Sequence, residues 1–589
     1  MKKHNKFLSL FLALVMLMTF AVPLAANAAP IDDDGTITIT PPTGHSLNAD
    51  YFEAYELFEL TSIIGTGEGA QYVYEPTAAV TTFLAVSGMA GKYGANGLTG
   101  AAAAEAFRLW LQDSARTENE IIQLAKDLIA NVSILTAVNR DNVSKTSEGE
   151  ILFENLNYGY YLVTGESKVV DANGDHNKNV ISRGMLINVP NERGEHEVKI
   201  ALKADAPKIE KDVWFHDKAG TGNSYDGTSA PVNGSDAGWQ NWTDVNIGDD
   251  VYFKLTATVP DMEGYEKYTF IVHDTLSKGI TYNPATADIK IQLVKNLENP
   301  VPLTKDTHYT VAAPAASTES GDSEYADGTK FEITFIDFED WIEYKGWTVE
   351  IIYKAKLNEN AIIGKPGNPN KVKLEYSNNP NWKDDGSKGP TGETPEDEAR
   401  VYTYDIEIYK YTGDIEDEHV PLQGAEFQLR VSGTNKIIYV IPDTTDGYDY
   451  RVVSDKERTD DLDLPADERL TTDVLVSGTD GKIKIKGLDA GKYELKETKS
   501  PAGYNQIPGW ITDIVIEKND ESDNGYKLTF EGSPANSVNV LNNTGGQLPG
   551  TGGIGIYLFF GIGSAMAILL AAAFIIYRKR MALNTLDVG

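Results

Sequence analysis

The stretch Tyr404-Asp405-Ile406-Glu407-Ile408-Tyr409-Lys410 alternates apolar and polar side chains until its end, where a lysine falls on the apolar face. Such alternation marks a strand with one side toward a core, because successive side chains point to opposite faces. Lys410 therefore shares the inward face with Tyr404, Ile406 and Ile408. The pattern recurs in Pro207-Lys208-Ile209-Glu210-Lys211-Asp212-Val213-Trp214-Phe215, where Lys211 keeps company with Ile209, Val213 and Phe215. An unpaired ammonium in a core is costly, so each lysine must pair, give up its proton or react.

The same parity places partners on other strands. Asp274 falls with Phe270, Val272 and Leu276, and Asn378 with Val372, Leu374 and Tyr376. Farther on, Glu497 falls with Tyr493 and Leu495, and Asn542 with Val538 and Val540. Each lysine thus has an inward acid and an inward asparagine, in the chain order lysine, acid, asparagine. Asp337 is a rival acid, since it shares a face with Phe331, Ile333 and Phe335; Asn379 and Asn543 are rivals one place on.

Most of the chain consists of short alternating segments split by Gly, Asn, Asp and Pro, which predicts a mainly β protein of tandem Ig-like sandwiches. Breaks at Ala204–Pro207 and Asp384–Ala399 divide it into 29–203, 204–400 and 401–545. Ala101 to Asn131 is the exception: Ile121, Leu124, Ala125, Leu128 and Ile129 recur at helical spacing behind a Thr117/Glu120 capping box. This predicts a helical insertion lying across an open sandwich end of the first domain. Leu156-x-x-Gly159-x-Tyr161 and Leu488-x-x-Gly491-x-Tyr493 form a weak repeat linking the first and third domains.

Leu422-Gln423-Gly424-Ala425-Glu426-Phe427-Gln428-Leu429 and the run YELKETKSPAGY from Tyr493 to Tyr504 resemble the intramolecular isopeptide domains of Gram-positive pilins and surface adhesins, of the CnaA and CnaB types. The resemblance implies Lys211–Asn378 and Lys410–Asn542 bonds, with Asp274 and Glu497 as the catalytic acids. Burial suits that chemistry, because desolvation frees a neutral amine and keeps the acid protonated. The first domain departs from the pattern. Its opening strand Ile37–Pro41 has no lysine, and Gly165 stands where Glu497 would align, so no bond is expected there.

Both ends add to the resemblance. Lys2, Lys3 and Lys6 precede an apolar run to Leu24 and an Ala26-Asn27-Ala28 cleavage pattern, a secretory signal over 1–28. At the other end Leu548-Pro549-Gly550-Thr551-Gly552, an apolar run 554–577 and Arg578-Lys579-Arg580 follow in order. The run is long enough to cross a bilayer, and its basic end stays cytoplasmic. The order resembles the sorting signal of sortase substrates, here over 548–589, and implies transfer of the Thr551 carbonyl to an amine. A family-type nucleophile lysine at the first domain junction implies Lys203, in Val198-Lys199-Ile200-Ala201-Leu202-Lys203, with Lys208 as runner-up because Leu202 replaces the motif's proline.

The expected function is the major subunit of a sortase-assembled pilus, Thr551 of one copy joined to Lys203 of the next. The alternative is a monomeric cell-wall adhesin that does not polymerise. Expected partners are other copies, pilin-type and housekeeping sortases, peptidoglycan, minor pilins and host ligands, at the cell surface.

Composition narrows the remaining classes. A net charge of −35 gives no basic face for nucleic acid. With no cysteine, disulfides and thiol catalysis are excluded. The eight histidines show no metal or triad spacing, and the Asp171–Asn177 loop lacks the glycine and final acid of a calcium site. No cofactor, metal or multiple-turnover enzyme activity is expected.

Overall fold

A computed structural model of the protein describes residues 34–544 and 554–584, apart from 43, 65–70, 171–175, 192–193, 203, 205, 216–237, 297, 322, 414–418 and 466–467. The signal segment, the LPGTG motif from Leu548 to Gly552, Lys203 and most of the Asp171 loop lie outside the described residues.

The strands form three sandwich modules, each with its own apolar core. In the first, Glu197–Ala201, Gly35–Thr40, Ile151–Leu156 and Val143–Lys145 make one sheet, and Met185–Val189, Gly159–Thr164, Glu53–Ile64 and Gln71–Pro76 the other. Ile37, Ile39, Phe153, Tyr161, Val163 and Ile187 fill the space between.

The helical insertion is larger than expected and sits elsewhere. Helices Ala78–Ala85 and Met89–Lys92 precede Gly100–Gln112 and Glu118–Ala130, the last entered through the expected Thr117/Glu120 capping box. They bury Phe83, Phe107, Leu124 and Leu128 against Tyr55, Phe58 and Leu162. The helices thus cover the outer face of the second sheet rather than an open end.

Helix Glu118–Ala130 also carries the junction to the middle module. Its buried Asp127 accepts from Lys92 and Tyr93 of the first module and from Lys383 of the middle one. Buried Lys126 lies 3.6 Å from Glu266, and Arg183 pairs with Glu263 at 2.6 Å. A buried charge persists only when paired, and these pairs span the junction.

The middle module stacks a sheet containing Ile209–Trp214, Asp250–Thr258 and Thr348–Leu357 on one containing Phe270–Leu276, Thr329–Phe335, Asn368–Ser377 and Asp397–Tyr402. The third does the same with Tyr404–Thr412, Lys482–Leu488 and Val538–Leu541 against Glu426–Val431, Gly491–Lys499, Ile511–Lys518 and Tyr526–Phe530. Only Thr403 separates the last middle strand from the first strand of the third module. Backbone bonds tie these two modules: Ile247 N–H to Gly487 O, Gly364 N–H to Thr403 O, and Lys365 N–H to Asn524 O.

The sequence repeat has a structural counterpart. The Tyr161 hydroxyl donates to Asn157 O at 2.7 Å, and Tyr493 donates to Asp489 O at 2.7 Å. Each tyrosine pins the turn by which the chain crosses between sheets, as in the tyrosine corner of Ig-like sandwiches. At the C-terminus one helix runs from Ile554 to Asn584, beyond the expected end at 577 and through Arg578–Arg580. Its span Phe559–Arg580 is long and apolar enough to cross a membrane.

Candidate cross-link sites

In the third module the parallel pairing of first and last strands sets Lys410 opposite Val540, two residues before Asn542. The Asn542 backbone N–H donates to Tyr411 O at 2.9 Å, which fixes the end of that strand beside the lysine. Glu497 comes from the facing sheet. Its Oε1 lies 3.0 Å from Lys410 Nζ and accepts from Asn542 Nδ2 at 3.0 Å. Its Oε2 accepts from Ile507 N–H at 2.7 Å. All three side chains are buried, and Lys410 Nζ lies 5.6 Å from the centre of the Phe427 ring. Burial pushes the Lys410 ammonium below its usual range, with Glu497 pulling the other way. One carboxylate oxygen thus touches both the amine and the amide. Asn543 is exposed, its carbonyl accepting from Asn505 N–H.

The middle module brings Lys211 and Asp274 together across its two sheets, Nζ to Oδ2 at 2.7 Å, both fully enclosed. Phe253 and Tyr353, whose rings stack at 5.5 Å, close over the amine at 5.2 and 5.6 Å from their centres. Burial drives the lysine down to about 8 against the pull of Asp274, and raises Asp274 despite its bonds to Lys211 and Tyr353. Both shifts favour the uncharged forms.

Asn378 is not at this site. Asp274 pairs with Val372 and Leu276 with Asn370, whereas Phe270 pairs with Tyr376. Asn378 therefore lies six residues past the Asp274 level, about 20 Å along the strand at about 3.3 Å per residue. It sits at the junction with the first module, its carbonyl accepting from Ile181 N–H at 3.0 Å. The asparagine that reaches the site is Asn370, fully buried, whose Nδ2 donates to the Tyr353 hydroxyl at 2.6 Å. Tyr353 in turn donates to Asp274 Oδ2 at 2.9 Å and receives Lys211 Nζ at 3.2 Å.

The rivals fall away as well. Asn379 accepts from Asn381 N–H in a turn. Asp337 lies past the end of its strand in a left-handed conformation, φ 44°, and pairs with Lys267 at 3.2 Å. Parity assigns a face but carries no information about position along the strand. The signal that could have found Asn370 is strand direction. Asp274 is near the end of its strand, so an antiparallel neighbour meets it near its own beginning.

Among its described residues the first module has no such set. At Gly165, the counterpart of Glu497, an added Cβ would come within 2.3 Å of the Phe52 ring, so an apolar plug occupies the acid's place. Lys208 is exposed just ahead of the strand Ile209–Trp214. On the other side of Lys203, Leu202 is buried and its N–H donates to Thr40 O at 2.9 Å. No cluster of metal-ligating side chains occurs among the described residues.

Residues 247–380 match the family model of the Gram-positive pilin backbone subunit 2, Cna-B-like domain, and residues 405–527 that of the SpaA prealbumin-like fold domain. The middle and third modules thus each contain a match to a pilin-type domain. It is 27% identical over 372 residues to the trypsin-resistant surface T6 protein of Streptococcus pyogenes serotype M6, covering 57% of this chain. The aligned part spans 65% of that relative's length. Among solved structures it resembles the T6 backbone pilin of serotype M6 S. pyogenes, with a TM-score of 0.46 and 18% identity over 88% of this chain and 100% of that one. It also resembles the major pilin SpaA of Corynebacterium diphtheriae, with a TM-score of 0.42 and 17% identity over 86% and 99%.

Proposed function

We propose that this chain is the backbone subunit of a covalently polymerised pilus on a Gram-positive cell surface. The observation that carries the reading is the match of residues 247–380 to a pilin backbone domain, directly followed by a second pilin-type domain. The sorting signal from Leu548 to Gly552 would hand Thr551 to a sortase, and Lys203 would receive it. Successive copies then join head to tail into an open chain. Sortases, peptidoglycan at the base of the fibre, and other pilus subunits are the partners this assembly requires.

The middle and third modules are each closed by an isopeptide bond, Lys211–Asn370 and Lys410–Asn542. The neutral amine attacks the asparagine Cγ while Asp274 or Glu497 holds and returns a proton. The Nζ–Cγ bond forms, the Cγ–Nδ2 bond breaks, and Nδ2 leaves as ammonia with a proton taken from the amine. Each site turns over once and on itself.

The test is an SDS-resistant ladder from cells that express the cognate sortase. Lys203→Ala should reduce it to monomer while Lys208→Ala leaves it intact. A wild-type chain that never forms a ladder beside an active pilin sortase would instead support the monomeric adhesin.

A further inference from the structure

The two sites use acids of different length, and the geometry points to a residue that makes up the difference. In the third module the longer Glu497 touches both the amine and the amide through one oxygen, each at 3.0 Å. In the middle module Asp274 is shorter by one methylene, about 1.5 Å of reach. Asp274 touches Lys211 directly, but its link to Asn370 runs through the Tyr353 hydroxyl, 2.9 Å from Oδ2 and 2.6 Å from Asn370 Nδ2. Tyr353 is enclosed between Phe253, Phe331 and Tyr282. A buried phenol needs a hydrogen-bond partner, and this one has the three reacting groups themselves.

Building on the isopeptide reading above, we propose that Tyr353 is a catalytic residue of the middle module, relaying a proton between Asp274 and the departing nitrogen of Asn370. The steps balance. As Lys211 Nζ bonds to Cγ, Nδ2 becomes basic, the tyrosine hydroxyl turns its proton from Asp274 toward Nδ2, and Nδ2 takes it. The tyrosine oxygen is reprotonated by Asp274, and Asp274 recovers a proton from the Lys211 nitrogen. Ammonia leaves, and both Asp274 and Tyr353 end as they began. The third module needs no relay because Glu497 spans both groups.

The experiment uses full-length ectodomain recovered unfolded and then refolded, with bond formation followed by mass spectrometry of peptides joining 211 to 370 and 410 to 542. Tyr353→Phe should slow the first bond about 100-fold, in line with the loss of one general acid–base group, and leave the second at its wild-type rate. Asp274→Glu combined with Tyr353→Phe should recover most of the rate, because a glutamate reaches the amide unaided. If Tyr353→Phe closes 211–370 as fast as wild type, the relay is wrong. If the double variant is as slow as Tyr353→Phe, the tyrosine acts through packing alone, and the proposal also fails. Wild-type protein lacking the 211–370 peptide would overturn the isopeptide reading itself, a different result from either.

Discussion

Asn370→Ala separates the geometry seen here from the parity reading of the sequence. Removing the carboxamide should leave Lys211 free and the protein heavier by one ammonia than its cross-linked parent, after allowing for the substitution. Lys211 and Asn370 enclose a loop of roughly 160 residues, and by the chain-entropy relation for cross-links its closure is worth about 5 kcal/mol at 25 °C. For a module of this size the loss should lower the midpoint of its thermal transition by roughly 10–20 °C. Calorimetry of the ectodomain reports the middle and third transitions, and intact mass reports the bond. Asn378→Ala should keep both ammonia losses, because its side chain stands at the far end of the strand. Asn370 is not the bonding partner if Asn370→Ala retains both losses, or if Asn378→Ala gives up one.

Glu497→Gln should abolish only the third-module bond, seen as one missing ammonia loss and a lower melting point for that transition alone. In refolding protein, closure of the middle module should speed up about tenfold per pH unit and level off above about 8, where Lys211 is already a free amine; a rate flat below that point would contradict the assigned nucleophile. Asp127→Ala should strip buried Tyr93 of its acceptor at about 1–3 kcal/mol and leave the exposed Lys383 without its partner across the junction, and limited proteolysis should then release the first module sooner. Burial alone would raise Asp127, but donation from Lys383, Lys92 and Tyr93 outweighs it and holds the carboxyl below its usual range. The native carboxyl is thus the stronger acid, so the junction keeps its contribution above about pH 4 and loses it as acidity increases further; junction loosening at neutral pH would count against this. Trypsin should cut within 34–201 before either of the modules proposed to be cross-linked.

What could be read from the sequence follows from what parity encodes. Inward lysines and acids were legible because a charge on an apolar face stands out whatever the register. Asn542 was legible because the first and last strands of its module run parallel and end together. Asn370 was not, since alternation is blind to sliding along a strand and to strand direction. Tyr353 stayed hidden in the strand Thr348–Leu357, where it reads as one more core aromatic. Lys126 and Asp127 fall between the apolar positions of helix Glu118–Ala130, and nothing in their spacing marks them as buried. Glu266 and Lys383 of the middle module meet them there, beside Tyr93 and Lys92 of their own.

In a fibre closed by the proposed Lys211–Asn370 bond, the position of Asn370 would set where a pull is released. Tension passing from the first module to the third would cross from Lys211 to Asn370 and then follow the chain to Tyr402. That stretch doubles back: Asn368–Ser377 climbs toward the first module, and Asp397–Tyr402 returns beside it, pairing Asn370 with Ala399. While this ladder holds, the fold is as short as the bond. Once it tears, roughly thirty residues can straighten by about 100 Å before the backbone is taut again. The third module has no such slack, because Lys410 and Asn542 meet on adjoining strands that run the same way. The fibre's reserve of length would lie in one hairpin of its middle module.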